Sequence, residues 1–442
     1  MEDLIVAPIV LLVGFGIHFI AVRNFTAVEG RLLNRSFLAH VFSGFAQIFV
    51  YVYYYGSGDM TAYRDFGIPI ADALRYDFNG IFPGTVQLLI QSKDMNLPFE
   101  SPLGGGSTGS MLMLSAYLLF LLGNSFYGVT LAIAMLAYIS KVVIYRALHP
   151  EFPPEQKRAV MIAVMLMPTA VFWSCGLLKE PIVMIFMGPL FLGFRYIIDG
   201  GRPLRAWLLV AVGAFGVVLF KAYVLLSFGV AASVWLIWAR VIRDRGSMAV
   251  KPLYLVIGAL VGMVLITVAD RYLLKRSEGG FAQSMAAQRR AAGMVEGDSN
   301  FSLEGDTVSL NAETSLSGEL LLAPFALLTA LFRPFIFEVR KPMQFLNALE
   351  TTWVLWASLQ IFRRRHVAGV VSRITASPVM MFCVVFTLIL ALGTGLSTSN
   401  LGALSRYRAP MMPFFALLLL TLAPPPKQSL LDAKLQLAPT TT

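Results

Sequence analysis

Apolar residues in this chain come in long blocks separated by short polar punctuation. A membrane-spanning helix needs about twenty predominantly apolar residues. Blocks of that kind lie at 5–22, 37–55, 126–145, 159–175, 181–198, 207–220, 223–239, 252–269, 344–362, 378–396 and 409–422. They predict an all-α, polytopic integral membrane protein with about eleven transmembrane helices. Two shorter apolar stretches, 111–122 and 320–331, suit surface or re-entrant helices. One multi-span domain covers 1–424, and the proline-led end, 425–442, reads as a disordered tail. The first block is long enough to span and stay, unlike a cleaved signal peptide.

Composition agrees. Of 442 residues, 57% are hydrophobic and 14% charged, with a mean hydropathy of +0.71. A soluble exterior needs roughly a quarter charged residues, so a soluble domain is excluded. The net charge of +10 sits in short clusters between blocks: Arg23, Arg31 and Arg35; Arg146, Lys157 and Arg158; Arg202 and Arg205; Arg240, Arg243 and Arg245; and the run from Arg363. With eleven spans all fall on one side, which the positive-inside rule makes the cytoplasm. Membrane lipids, not nucleic acid, are the partner that this distribution implies. The tail then lies inside. Two large loops, about 56–110 and 270–320, lie outside and carry the short helices. Cys175, Cys383 and four scattered histidines imply no disulfide framework and no metal centre.

The stretch "VYYYGSGDMTAYRDFG" leaves the second block on three tyrosines and at once presents Asp59, Arg64 and Asp65. A carboxylate at the outer end of a span sits where its desolvation can be tuned toward use as a base. On a short surface helix Asp59 and Tyr63 share a face at i, i+4, with Phe66, Ile68, Ile70 and Leu74 offered to the bilayer. The plainer reading is that Asp59 caps that helix. "CGLLKEP" places Lys179 and Glu180 in a tight corner near membrane depth, where charge is costly and functional by default. Glu180 before Pro181 also complements a helix dipole.

Lys221 in "FKAY", Arg333 and Glu338 in "LFRPFIFEV", and Arg406, Tyr407 and Arg408 in "RYRAP" complete the set. These cations fall outside, against the positive-inside bias. A phosphate or pyrophosphate ligand would explain them; the alternative is that they pair with Glu338, Glu350 and loop carboxylates, or snorkel to headgroups. "PLGGGSTGS" lacks the strand and Lys-Ser/Thr of a phosphate loop and reads as a flexible linker.

This layout resembles the C-type membrane glycosyltransferases, which take sugar from a polyprenyl-phosphate carrier on the outer face of the bacterial membrane. "GDMTAY" matches their acidic residue followed by a tyrosine in the first outer loop. Glu180 matches a second acidic site in a later corner, and "RYRAPMMP" a late RY-and-proline opening of one of the last spans. The chain is similar, almost as closely, to O-antigen (Wzy-like) polymerases, which handle lipid-linked pyrophosphate with outer arginines. The resemblance implies Asp59 and Glu180 as catalytic carboxylates, either of which could take the acceptor's proton, with Tyr63, Arg64, Asp65, Lys179, Lys221, Arg333, Glu338, Arg406, Tyr407 and Arg408 binding substrate.

It also implies a polyprenyl-linked sugar donor and a glycan or lipid acceptor, in the bacterial cytoplasmic membrane with the site facing outward. No cofactor is required, and a divalent cation at Asp59 is compatible but not demanded, because the protein's own cations can do its electrostatic work. Two rivals remain open: a lipid-linked sugar flippase or transporter, and a scaffold within a polysaccharide export complex. Mid-bilayer charges and internal repeats would mark a transporter.

Overall fold

A computed structural model describes residues 2–92, 103–201, 203–243 and 322–423. The block at 252–269, the loop at 270–320 and the tail after 424 lie outside the described residues. Among those described the chain is all helix, with no strand.

Six helical stretches are long and apolar enough to cross a membrane. They include α1 (Glu2–Val22) and α2 (Ala27–Ile48), the latter opened by a Thr26–Glu29 capping box and prolonged by a π-helical turn over Phe49–Tyr54. Between these and the next span come three shorter helices, α3 (Asp59–Tyr76), α4 (Phe78–Leu89) and α5 (Gly106–Leu121). α6 (Phe126–Leu148) is the third long apolar helix. The block at 159–175 is divided into α7 (Pro154–Leu166) and α8 (Pro168–Phe172). Pro168 forces the preceding Met167 into extended geometry (φ −62°, ψ 122°).

α9 (Lys179–Ile198) and α10 (Pro203–Arg243) follow, then α11 (Ala323–Phe332) and α12 (Pro342–Thr375). α13 (Pro378–Ser397), the short α14 (Leu401–Tyr407) and α15 (Met412–Leu422) complete the described chain. α15 is an 11-residue apolar helix. Among the described residues the long-and-apolar stretches are fewer than the blocks of the sequence, and one of them, Pro203–Ala239, takes in two blocks.

α10 is not a straight rod. Lys221 leaves helical geometry (φ −148°, ψ 80°), and the contacts on either side show that the chain turns back there. Before it, Ala206 and Val210 lie against Gly193, and Gly213 lies against Leu190, where an added Cβ would come within 2.6 Å. That half runs antiparallel to α9. After it, Phe228 meets Phe191 and Phe194 at ring-centroid distances of 4.9 and 5.7 Å, and Trp235 meets Phe194 at 5.5 Å. That half runs parallel to α9. The reversal falls between the blocks 207–220 and 223–239, where the apolar pattern separates two spans.

The core surrounds α6 and α9. Phe191, Phe382, Phe386 and Phe414 form an aromatic cluster joining α9, α13 and α15. At one end of the bundle Asp3 accepts hydrogen bonds from Ser125 Oγ (2.6 Å) and the Tyr127 amide (3.0 Å), fixing α1 to the start of α6. At the other end the Tyr145 hydroxyl donates to Glu29, and Arg195 pairs with Glu151 and Asp199. The starts of α3 and α9 and the turn of α10 belong to the first end.

α3 uses its apolar face against protein. Ile70 and Leu74 are buried and Tyr63 offers its carbonyl to Ser115 of α5 at 2.9 Å; only Phe66 of the four bilayer-facing candidates is largely exposed. The stripe expected to rest on lipid therefore packs mainly on α5.

Candidate functional site

Gly58 occupies the position before α3 with φ 147°, a conformation that favours glycine, and makes no side-chain cap. Asp59 is the first residue of the helix, and its carboxylate goes elsewhere. Oδ2 accepts from Arg406 Nη1 at 2.6 Å, across 347 residues of sequence. The same guanidinium lies 3.2 Å, through Nε, from Glu180 Oε1, without hydrogen-bond alignment. Glu180 Oε1 also accepts from Lys221 Nζ at 2.6 Å. Asp59, Glu180, Lys221 and Arg406 thus form one continuous network drawn from four distant segments.

Each member is placed by a local device. Glu180 sits in the first turn of α9, where the helix dipole favours an anion. Lys221 is at the break of α10. Arg406 is held by α14, whose start is capped by Asn400 Oδ1 accepting from the Gly402 and Ala403 amides. The Tyr407 ring lies 4.1 Å from Lys221 Nζ and 5.3 Å from the Arg406 guanidinium, so its π face meets both cations. Tyr51, from the π-helical turn, stands beside Arg406.

The two carboxylates are not equivalent. The Glu180 side chain is 3% exposed and held by two cations, whereas that of Asp59 is 52% exposed. Burial opposes the charge on Arg406, but Glu180 and Asp59 outweigh it and hold its pKa well above the ordinary arginine value. Tyr63 has its hydroxyl raised by burial and then by Asp59, so it stays protonated. The place between the carboxylates is filled by a guanidinium. No cluster of three metal-ligating side chains occurs among the described residues, and the arrangement of Asp59 and Glu180 around Arg406 does not suit a shared divalent ion.

The other expected residues divide. Lys179 donates to Thr108 Oγ1 (2.8 Å) and Ser107 Oγ (3.2 Å), which belong to the glycine-rich segment that reads as a linker. Arg64 pairs with Asp65 at 2.6 Å, with side chains 28% and 55% exposed, and stacks over Phe126. Neither joins the network. Arg333 pairs with Glu338, its Nε 2.9 Å from Oε1. Arg408 is fully buried, its Nη1 donating to the Arg333 carbonyl at 2.6 Å, and Glu350 is the nearest opposing charge. Burial lowers its guanidinium pKa to about 10, against the pull of Glu350. Glu350 itself accepts from the amide and hydroxyl of Thr169 at 2.7 and 2.8 Å, serving the restart of the chain at α8.

One buried polar pair had no signal in the pattern of charges. Lys141, in mid-α6, donates to the Ala170 carbonyl at 2.7 Å and meets His40 Nε2 at 3.2 Å. His40 Nδ1 in turn donates to the Ser36 carbonyl at 2.7 Å. A lysine and a histidine inside otherwise apolar blocks were the only hint.

What the fold and this cluster define, among the described residues, is an all-helical protein with helices long and apolar enough to cross a membrane and an ion-paired polar centre at one end. No protein-family model, curated protein or solved structure matches the chain.

Proposed function

We propose that the protein is an extracytoplasmic membrane transferase that moves a glycosyl group from a polyprenyl-phosphate-linked donor to a hydroxyl acceptor in glycan assembly. The observation that carries this reading is the convergence of Asp59, Glu180, Lys221 and Arg406 at one end of the bundle. Burial assigns the roles. Asp59, half open to solvent, takes the proton from the acceptor hydroxyl. Glu180, enclosed and doubly paired, orients Lys221 and Arg406 and is a positioning residue. The acceptor oxygen forms its bond to the sugar C1 while the bond from C1 to the phosphate oxygen breaks. The electron pair leaves with the phosphate, whose growing charge the cations stabilise.

An apolar groove of about 720 Å³ between α2, α7–α8 and α12, lined by Phe42, Ile162, Leu166, Trp173, Leu346 and Trp353, is suited to a long hydrocarbon tail. The cluster of Arg146, Lys157 and Arg158 sits at the opposite end from the site, which favours a site facing away from the cytoplasm. The second reading, a Wzy-like polymerase joining lipid-linked repeat units, is favoured by the central place of Arg406.

Deletion of the gene followed by analysis of lipid-linked intermediates separates the two. Unmodified acceptor with charged sugar carrier indicates a transferase, and accumulated single repeat units a polymerase. Asp59→Asn should reproduce the deletion with the protein made and inserted normally, slowing transfer by about 10²–10⁴-fold. Full activity of that variant removes Asp59 as the base.

A further inference from the structure

The ionic network leaves one charge over. Lys179, Lys221 and Arg406 face Asp59 and Glu180, so the cluster carries one more cation than it has carboxylates. Lys221 and Arg406 are both in ion-pair contact with carboxylates. Among the described residues no carboxylate lies within that distance of Lys179. Its ammonium instead spends two donors on neutral hydroxyls, those of Ser107 and Thr108. A partly buried ammonium hydrogen-bonded only to hydroxyls, with Asp59 and Glu180 acting on it from a distance, has no direct ion pair, which is costly unless an anion visits.

The geometry of donors fits such a visitor. Lys179 keeps a third N–H, and Ser107, having accepted from Lys179, still has its own O–H to donate, while the Thr108 hydroxyl is shared with Tyr63. Ser107, Thr108 and Lys179 are all partly exposed, and Gly104 and Gly105 beside them are open to solvent. Added side chains at Gly104 and Gly106 would meet nothing within 4 Å among the described residues. Tyr63, also near Asp59, stands beside Thr108 and ties this corner to the carboxylate.

The geometry points to Lys179, Ser107 and Thr108 as a phosphoryl-binding subsite that receives the carrier phosphate as the sugar leaves. This inference rests on the glycosyl-transfer reading. A phosphodiester-linked donor carries one negative charge, matching the unspent cation. When the bond from C1 to oxygen breaks, the released phosphate monoester gains a second charge where the free donors lie, which strengthens the contact in the transition state. The glycine-rich stretch is thereby part of the site and not a spacer.

The test uses the full chain in detergent, with farnesyl phosphate and farnesol as probes. Wild type should bind the phosphate at least about tenfold more tightly than the alcohol, as expected for one charge-assisted contact set. Lys179→Gln should erase that preference, Thr108→Val should reduce it, and Lys179→Arg should restore most of it, each with unchanged thermal unfolding. A wild type that does not distinguish phosphate from alcohol, or a Lys179→Gln protein that still does, overturns the subsite. Inorganic phosphate competing as well as farnesyl phosphate would show a free-anion site and overturn the carrier assignment. If Lys179→Gln loses the preference while Asp59→Asn leaves glycan assembly intact, the subsite stands and the transferase reading fails. If Asp59→Asn abolishes assembly while Lys179→Gln keeps the preference, only the subsite fails.

Discussion

Arg406 and Arg408 stand two residues apart yet belong to different chemistry. Arg406 bridges two carboxylates and stacks on Tyr407, at the edge of a half-open cluster. Arg408 is wholly enclosed, holds the Arg333 backbone, and leaves Nε and Nη2 without hydrogen-bond partners. Residues at i and i+2 do not share a helix face, so the end of α14 sends one guanidinium to each side. Proximity in sequence therefore overstated their kinship. The region around Arg406 is organised by charge pairing, whereas the region around Arg408 is organised by backbone carbonyls and packing.

The largest way to break this contrast is Glu180→Gln. It leaves Lys221 and Arg406 without their shared buried partner and should cost about 3–5 kcal/mol of stability. Thermal unfolding in detergent reads the loss, and glycan assembly should fail with it. An unchanged unfolding temperature would mean that the network is not holding the site together.

Next comes the paired comparison of Arg406→Leu with Arg408→Leu. The first leaves Asp59 unpaired and Glu180 with Lys221 as its one remaining cation, and should destabilise by about 1–3 kcal/mol. The second removes a hydrogen bond but also two unsatisfied donors, and should fall within about 1 kcal/mol of wild type. Equal losses would erase the distinction between the regions. Smallest of all, Arg64→Gln removes an exposed pair and should shift stability by less than about 1 kcal/mol, with transfer unaffected. A large activity loss there would place α3's outer face in the site after all.

Much of the architecture was legible in local composition. Among the described residues the apolar blocks became helices, and Lys221 between two of them became the reversal of α10. The break at Pro168 was not among these, since 159–175 reads as one span, although the residue before a proline avoids helical geometry. Lys221 and Arg406 were also visible as cations against the positive-inside bias, and Asp59 and Glu180 as carboxylates at the ends of apolar blocks. Less was legible where a residue's surroundings differ from its neighbours'. "GGGST" reads as a linker by composition, yet Ser107 and Thr108 stand against Lys179 because the starts of α5 and α9 meet. Asp59 after a glycine reads equally as a cap, and only its contact with Arg406 decided otherwise. Ile70 and Leu74 satisfy an amphipathic stripe whether lipid or α5 covers it.

The amino-acid order alone thus determined which stretches are apolar enough for a bilayer and which charges sit at their ends. These follow from hydropathy and backbone propensity summed over near neighbours. Tertiary structure decided the partner of each charge: Arg406 for Asp59, Lys221 for Glu180, a carbonyl for Arg408, hydroxyls for Lys179. An ion pair depends on the angular position of two side chains around packed helices, and for Asp59 and Arg406 those positions are set by everything folded between them.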